Sequence, residues 1–203
     1  MHVSTVLRIF AFAAAWPAVV HAAGGAPSAA TFITKEEVEA VNRTPGIDRT
    51  IKVVDTGREH FAVGVIHRGP SNAAKPAIAT GPSCGAPGAP PADVIAGLAH
   101  DKQTEGYYIL SGEGVVVTGG RLFDGHREMP NTDVVSTLNG PSCRGLIGGA
   151  DVVKRRVRAG DIIIIPPDVP HGWTDVADHI DYLSFRPSGD ILRAGYEHPA
   201  IRK

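Results

Sequence analysis

The chain has 203 residues, 20 Lys+Arg against 21 Asp+Glu, and a formal net charge of −1 at pH 7. That length suits one domain rather than two, and the charge balance gives no electrostatic basis for binding nucleic acid or an anionic membrane. Two cysteines exclude zinc fingers and Cys-ligated clusters. The 24 glycines and 16 prolines fit a turn-rich β protein better than a helical bundle.

Residues 1–22 carry Arg8 and no acidic residue, then an apolar run over 9–16, Pro17 and the small-residue pattern Val20-His21-Ala22. This is the layout of a secretory signal peptide cut after Ala22. Its apolar core is too short to cross about 30 Å of hydrocarbon. The expected mature protein is periplasmic or secreted, free of the membrane, and in a compartment that permits disulfides. Cys84 and Cys143 each end a Gly-Pro-Ser-Cys tetrapeptide, at 81–84 and 140–143, and one bridge between them is expected.

After a Gly/Ala-rich leader over 23–31, Thr34-Lys35-Glu36-Glu37 reads as a capping box with Ile33 and Val38 as its hydrophobic staple. This predicts a short helix over about 35–42, stopped by Pro45-Gly46. Leader and helix occupy 23–50, and a barrel domain occupies 51–203. Apolar runs predict strands at 51–54, 61–68, 106–110, 114–118, 152–157, 161–165 and 180–185. Asp55-Thr56-Gly57 and Ser111-Gly112-Glu113 read as turns, 69–93 as a long loop carrying Cys84, and 119–150 as loop and hairpin. Short strands separated by turns make an antiparallel sandwich or barrel. The run Ile162-Ile163-Ile164-Ile165 reads as buried on both faces, a structural strand at a dimer interface. Lys154-Arg155-Arg156-Val157-Arg158 reads as an exposed strand face, and His126, His179 and His198 as solvated.

Two segments carry the chemistry. In the first, His100 precedes Glu105, which opens an apolar strand that runs to a glycine turn. In the second, Pro166 and Pro167 bend an isoleucine strand just before His171. Strand-end His and Glu side chains at one depth of a barrel make a divalent-metal site. Alternation from Glu105 sends Tyr107 and Ile109 inward and Tyr108 and Leu110 to the other face. Tyr107 therefore lines the interior, as core packing or as a substrate contact. Trp173, two residues past His171, lines the same pocket or closes the barrel mouth.

These segments resemble the two motifs of the cupin superfamily. His100, Glu105 and Gly112 match the end of the first motif: His, four residues, Glu, six residues, Gly. Gly160, Pro166 and His171 match the second, with Asp168 where a Gly is usual. The resemblance spans about residues 60–186. It implies an all-β, cupin-type antiparallel barrel (a double-stranded β-helix, or jelly roll) with His100, Glu105 and His171 holding a divalent Fe, Mn, Ni or Zn. Two departures stand out: a further usual His is Leu98, and the Asn that often ends the second motif is Asp175.

Three readings follow. His100, Glu105 and His171 form a two-His-one-carboxylate face with open positions; or His67 or Gln103 supplies a further ligand; or the metal is lost and the barrel only binds or packs. In functional terms the chain is an exported metal enzyme of oxygenase, isomerase or lyase type acting on a small organic molecule. The alternative is a non-catalytic small-molecule-binding cupin. Uncovered strand edges in a small barrel add the expectation of a homodimer.

Overall fold

The computed structural model describes residues 28–71 and 80–202, so the signal-peptide expectation lies outside the described residues. Among them, no helix is long and apolar enough to cross a membrane. The predicted helix forms as α1 (Lys35–Asn42), opened by the capping box: Thr34 Oγ1 accepts from the Glu37 amide at 3.2 Å and Glu37 Oε2 accepts from the Thr34 amide at 3.0 Å. Its apolar side, Val38 and Val41 together with Ile33, packs against Ile51 and Val65 on the back of a sheet.

The strands are β1 (Asp48–Asp55), β2 (His60–Arg68), β3 (Ser83–Cys84), β4 (Ile95–His100), β5 (Glu105–Arg127), β6 (Ser142–Arg158), β7 (Ile162–Ile165), β8 (His171–Thr174) and β9 (Ile180–Pro187). All pair antiparallel, in two sheets. One runs β1-β2-β9-β5-β7; the other joins β3, β5, β6, β4 and β8, with β8 returning to β5. The result is a closed antiparallel barrel in which β5 belongs to both sheets.

That dual membership corrects the expected turn at Ser111-Gly112-Glu113. Both sides of it stay in a ladder, Gly112 opposite Ile180 and Glu113 opposite Arg158, so the chain bends from sheet to sheet without leaving either. Gly112 makes the bend possible: its φ is +72°, and a Cβ there would lie 2.0 Å from the His179 carbonyl oxygen. Of 119–150, expected as loop and hairpin, much is the end of β5, a π-helical turn at Val134–Asn139 and the start of β6, with β5 and β6 paired. β4 and β8 are strands the composition did not announce; both are short and interrupted by glycine.

Alternation sorts the cores. Ile66, Tyr107, Ile109, Val116, Ile180 and Tyr182 fill the space between the sheets. Val115 and Val117, one step out of phase with Val116, join Ala99, Leu122, Cys143 and Ile147 in a second cluster. The isoleucine run alternates too, which corrects the reading of a doubly buried strand. Ile165 is 2% exposed, whereas Ile162 and Ile164 are 71% and 73% exposed, because β7 lies at the end of its sheet with one face toward the core. The basic run on β6 is exposed, as expected. His126, His179 and His198 are each hydrogen-bonded to the protein rather than simply solvated.

Cys84 and Cys143 form the expected disulfide, with Cα atoms 6.1 Å apart. The bridge ties together the strands on either side of β5, passing over Gly125: a Cβ there would sit 2.8 Å from Cys143 Sγ and 2.7 Å from the Cys84 carbonyl oxygen. Closing a span of 59 residues removes about 4 kcal/mol of unfolded-state freedom. Urea denaturation with and without reductant should show a loss of about that size, and two free thiols by mass spectrometry would overturn the pairing.

Candidate metal centre

Three elements bring the sequence-predicted ligands together. His100 ends β4, Glu105 begins β5 and His171 begins β8. All three are 2–3% exposed, and their ligand atoms lie within 4.8 Å of one another. His100 Nε2 and His171 Nε2 each stand 3.2 Å from Glu105 Oε2. Register explains the meeting, since Leu98 on β4 faces His171 on β8 and His100 follows two residues on, on the same side of the strand.

The turn before β8 takes its shape from Asp168. Its φ of +61° is the left-handed conformation that the usual motif glycine supplies, and Asp adopts it more readily than most residues. The Asp168 amide donates to the His100 carbonyl at 2.8 Å, tying the turn to β4. Asp175, in place of the usual Asn, is also left-handed, with φ +51°.

Hydrogen bonds fix both imidazoles. His100 Nδ1 lies 2.7 Å from the Asn139 carbonyl oxygen and His171 Nδ1 lies 3.0 Å from that of Val169. A carbonyl only accepts, so each Nδ1 carries a hydrogen, and in the neutral ring each Nε2 presents a lone pair. Two lone pairs thus converge on a carboxylate oxygen in a dry interior. His171 Nε2 has no hydrogen-bond donor among the described residues.

Glu105 is held from both sides. Oε1 accepts from Ser184 Oγ and Arg186 Nε, each at 2.7 Å, and Oε2 accepts from the Tyr107 hydroxyl at 2.6 Å. Arg186 is fully buried, and its Nη2 also donates to Asp48 Oδ2. Burial pushes the Glu105 carboxyl up, but the Arg186 guanidinium, the largest opposing influence, outweighs it and holds the group well below the usual carboxylate range. Burial and the Glu105 charge push the Tyr107 phenol well above its ordinary value, so it stays a donor.

His67 does not join the cluster. Ile66 and Arg68 take the inner positions of β2, so His67 faces out, half exposed and 2.6 Å from Asp181 Oδ1. Gln103 is buried, but its amide donates to the Leu138 carbonyl at 3.4 Å and packs beside Gly140. Tyr107 and Trp173 both line the interior, their rings 6.3 Å apart. Sequence reasoning missed Ser184 and Arg186. The signal was present: 180, 182, 184 and 186 share one face of β9, so a polar pair is carried into the barrel opposite Glu105.

Two outcomes check this electrostatic arrangement. Arg186→Met leaves a buried carboxylate uncompensated and should cost about 3–5 kcal/mol in urea denaturation; a loss below about 1 kcal/mol contradicts the pairing. Because the folded-state Glu105 value is depressed, its ionised form adds stability that is complete above 4.5 and drains away as pH falls below it. Glu105→Gln should therefore flatten the acid limb of the stability–pH curve, and parallel limbs would show that Glu105 is not held ionised.

No protein-family model matches the chain, and no curated protein matches it. Solved structures do. An uncharacterized conserved protein with a double-stranded β-helix domain from Klebsiella pneumoniae is 16% identical, over 80% of this chain and 94% of that one, with a TM-score of 0.42. An RmlC-like cupin family protein with a double-stranded β-helix fold from Methanocaldococcus jannaschii is 11% identical over 72% and 85%, with a TM-score of 0.36. An oxalate oxidase is 16% identical over 73% and 55%, also at 0.36. Likeness at this level says nothing of activity. The closed two-sheet antiparallel barrel, with both motifs on adjoining strands, is the architecture that the resemblance to cupins implies.

Proposed function

We propose that the chain binds one divalent transition metal through His100 Nε2, His171 Nε2 and Glu105 Oε2, and acts as a metal-dependent enzyme on a small organic molecule. The observation that carries the reading is the convergence of two tautomer-fixed imidazole lone pairs on a carboxylate oxygen, 3.2 Å from each. Three acceptors without a proton between them repel unless a cation is shared. A cation about 2.1 Å from each donor separates neighbouring donors by about 3.0–3.4 Å, and both histidine–glutamate distances, 3.2 Å each, fall in that range. Export, on the pattern of residues 1–22, completes the proposal.

Two imidazoles and one carboxylate on one face suit Fe(II), and Mn, Ni or Zn less selectively. When bound there, the metal supplies Lewis acidity, and redox chemistry where it is iron. The protein's own groups do the rest. Ser184 and Arg186 occupy Oε1, so Glu105 offers Oε2 alone. Asn139 and Val169 hold the imidazoles in the ligating tautomer. Leu98, beside His171, puts a side chain without donor atoms where a fourth ligand is usual, and so leaves positions free for a small molecule. The Tyr107 hydroxyl, 2.6 Å from Oε2, is placed to hold a proton there.

One observation favours a second reading. Arg186 already balances the Glu105 charge, so a metal-free barrel that only binds its ligand is electrostatically consistent. Elemental analysis separates the two. Protein purified without chelator or affinity-tag nickel should carry close to one equivalent of metal, and His171→Ala should carry almost none. Equal occupancy in both would show the ligand assignment to be wrong, and no metal in either would leave the binding reading.

A further inference from the structure

Two guanidiniums stand on the inner faces of β2 and β9, and only one of them touches a carboxylate. Arg186 contacts Glu105 and Asp48. Arg68, the last residue of β2, follows Ile66 on the inner face and lies opposite the fully buried Ile180. Its Nε donates to the Tyr182 hydroxyl at 2.8 Å, and among the described residues that neutral phenol is its one hydrogen-bond partner, with no carboxylate in contact. Asp48 acts on Arg68 only at a distance, so the guanidinium keeps donors that a carboxylate bound in the barrel would take.

The surroundings define the anion further. The Tyr182 hydroxyl accepts from Arg68 and donates to no described residue, and burial keeps that phenol neutral, its value pushed up to about 12. Trp173 Nε1 is buried and meets no acceptor among the described residues. Tyr107, Tyr182 and Trp173 form one aromatic wall, with ring centroids 4.5 Å apart for Tyr107–Tyr182 and 5.1 Å for Trp173–Tyr182. Tyr107 in turn reaches Glu105, so the wall runs from Arg68 to the candidate metal centre. Guanidinium and phenol donors beside flat apolar surface suit a carboxylate attached to a planar body.

We propose that Arg68, assisted by the Tyr182 hydroxyl, anchors the carboxylate of a small planar organic acid whose body lies along the Tyr107–Tyr182–Trp173 wall. This deepens the enzyme reading by naming its substrate class, and rests on the barrel interior being the substrate pocket. The probe is benzoate, with benzamide as its uncharged counterpart. Trp16 and Trp173 are the two tryptophans, so in full-length Trp16→Phe protein the fluorescence reports on the wall itself. Benzoate should give a saturable change and benzamide none. Arg68→Met should weaken benzoate about tenfold or more, with Arg68→Lys and Tyr182→Phe showing smaller losses if the first variant misfolds by circular dichroism. Equal binding of benzamide, full-strength binding by folded Arg68→Met, or no saturable response to benzoate overturns the proposal. Metal content measured on the same samples separates the two ideas. Benzoate binding without metal contradicts only the metal centre, and metal without benzoate binding contradicts only the anchor.

Discussion

A carboxylate 2% exposed at the middle of a barrel is the constraint around which this structure is arranged. In a medium of low dielectric an isolated Glu105 would take up a proton. Here it stays ionised because Arg186 crosses the same interior from β9 and Ser184 adds a hydrogen bond to the same oxygen. That pairing has a second effect. With Oε1 occupied, Oε2 is the atom left to face His100 and His171, so the ion pair that makes the charge tolerable also sets which oxygen is presented. Asp48 completes the chain of charges and links the site to the first strand.

The fold supplies the precision this requires. β5 carries Glu105 and Tyr107 in one sheet and then bends at Gly112 into the other, where it pairs with β8 and so positions His171. The left-handed Asp168 and its bond to the His100 carbonyl tie the two histidine segments together. The disulfide, whose Cys143 lies opposite Ala99 next to His100, clamps the strands on both sides of β5 across Gly125, whose missing side chain is what lets the bridge pass. Sites on rigid strands hold their ligands more closely than sites on loops, and His100, Glu105 and His171 all stand at strand ends.

Much of this was legible in the residues, and the failures have physical causes. Helix α1 follows from local chemistry, Thr34 and Glu37 satisfying each other's amides, so its limits came out as expected. The His/Glu/His set rests on spacing that strand geometry preserves. The continuous β5 was not legible, because a glycine bend inside a strand and a glycine turn between strands have the same composition. Ile162-Ile163-Ile164-Ile165 has no polar residue to mark which face is outside, so its exposure depends on β7 being at the end of its sheet, a tertiary fact. Arg186 was missed for the opposite reason: a lone charge in a strand reads as solvent-facing, and only its phase with Tyr182 and Ser184 turns it inward. His67 shows the same rule from the other side, a metal-competent residue one step out of phase with the interior.

The central claim is that His100 and His171 are held as Nδ1–H tautomers whose Nε2 lone pairs await a cation shared with Glu105. Nitrogen-15 NMR of the imidazole rings in metal-free protein, followed through addition of Zn(II), tests it most directly. The account predicts Nδ1–H patterns for both rings at neutral pH, with both Nε2 resonances shifting together and saturating at one equivalent of zinc. Nε2–H or doubly protonated rings in the metal-free protein, or Nε2 resonances that ignore zinc, would contradict it.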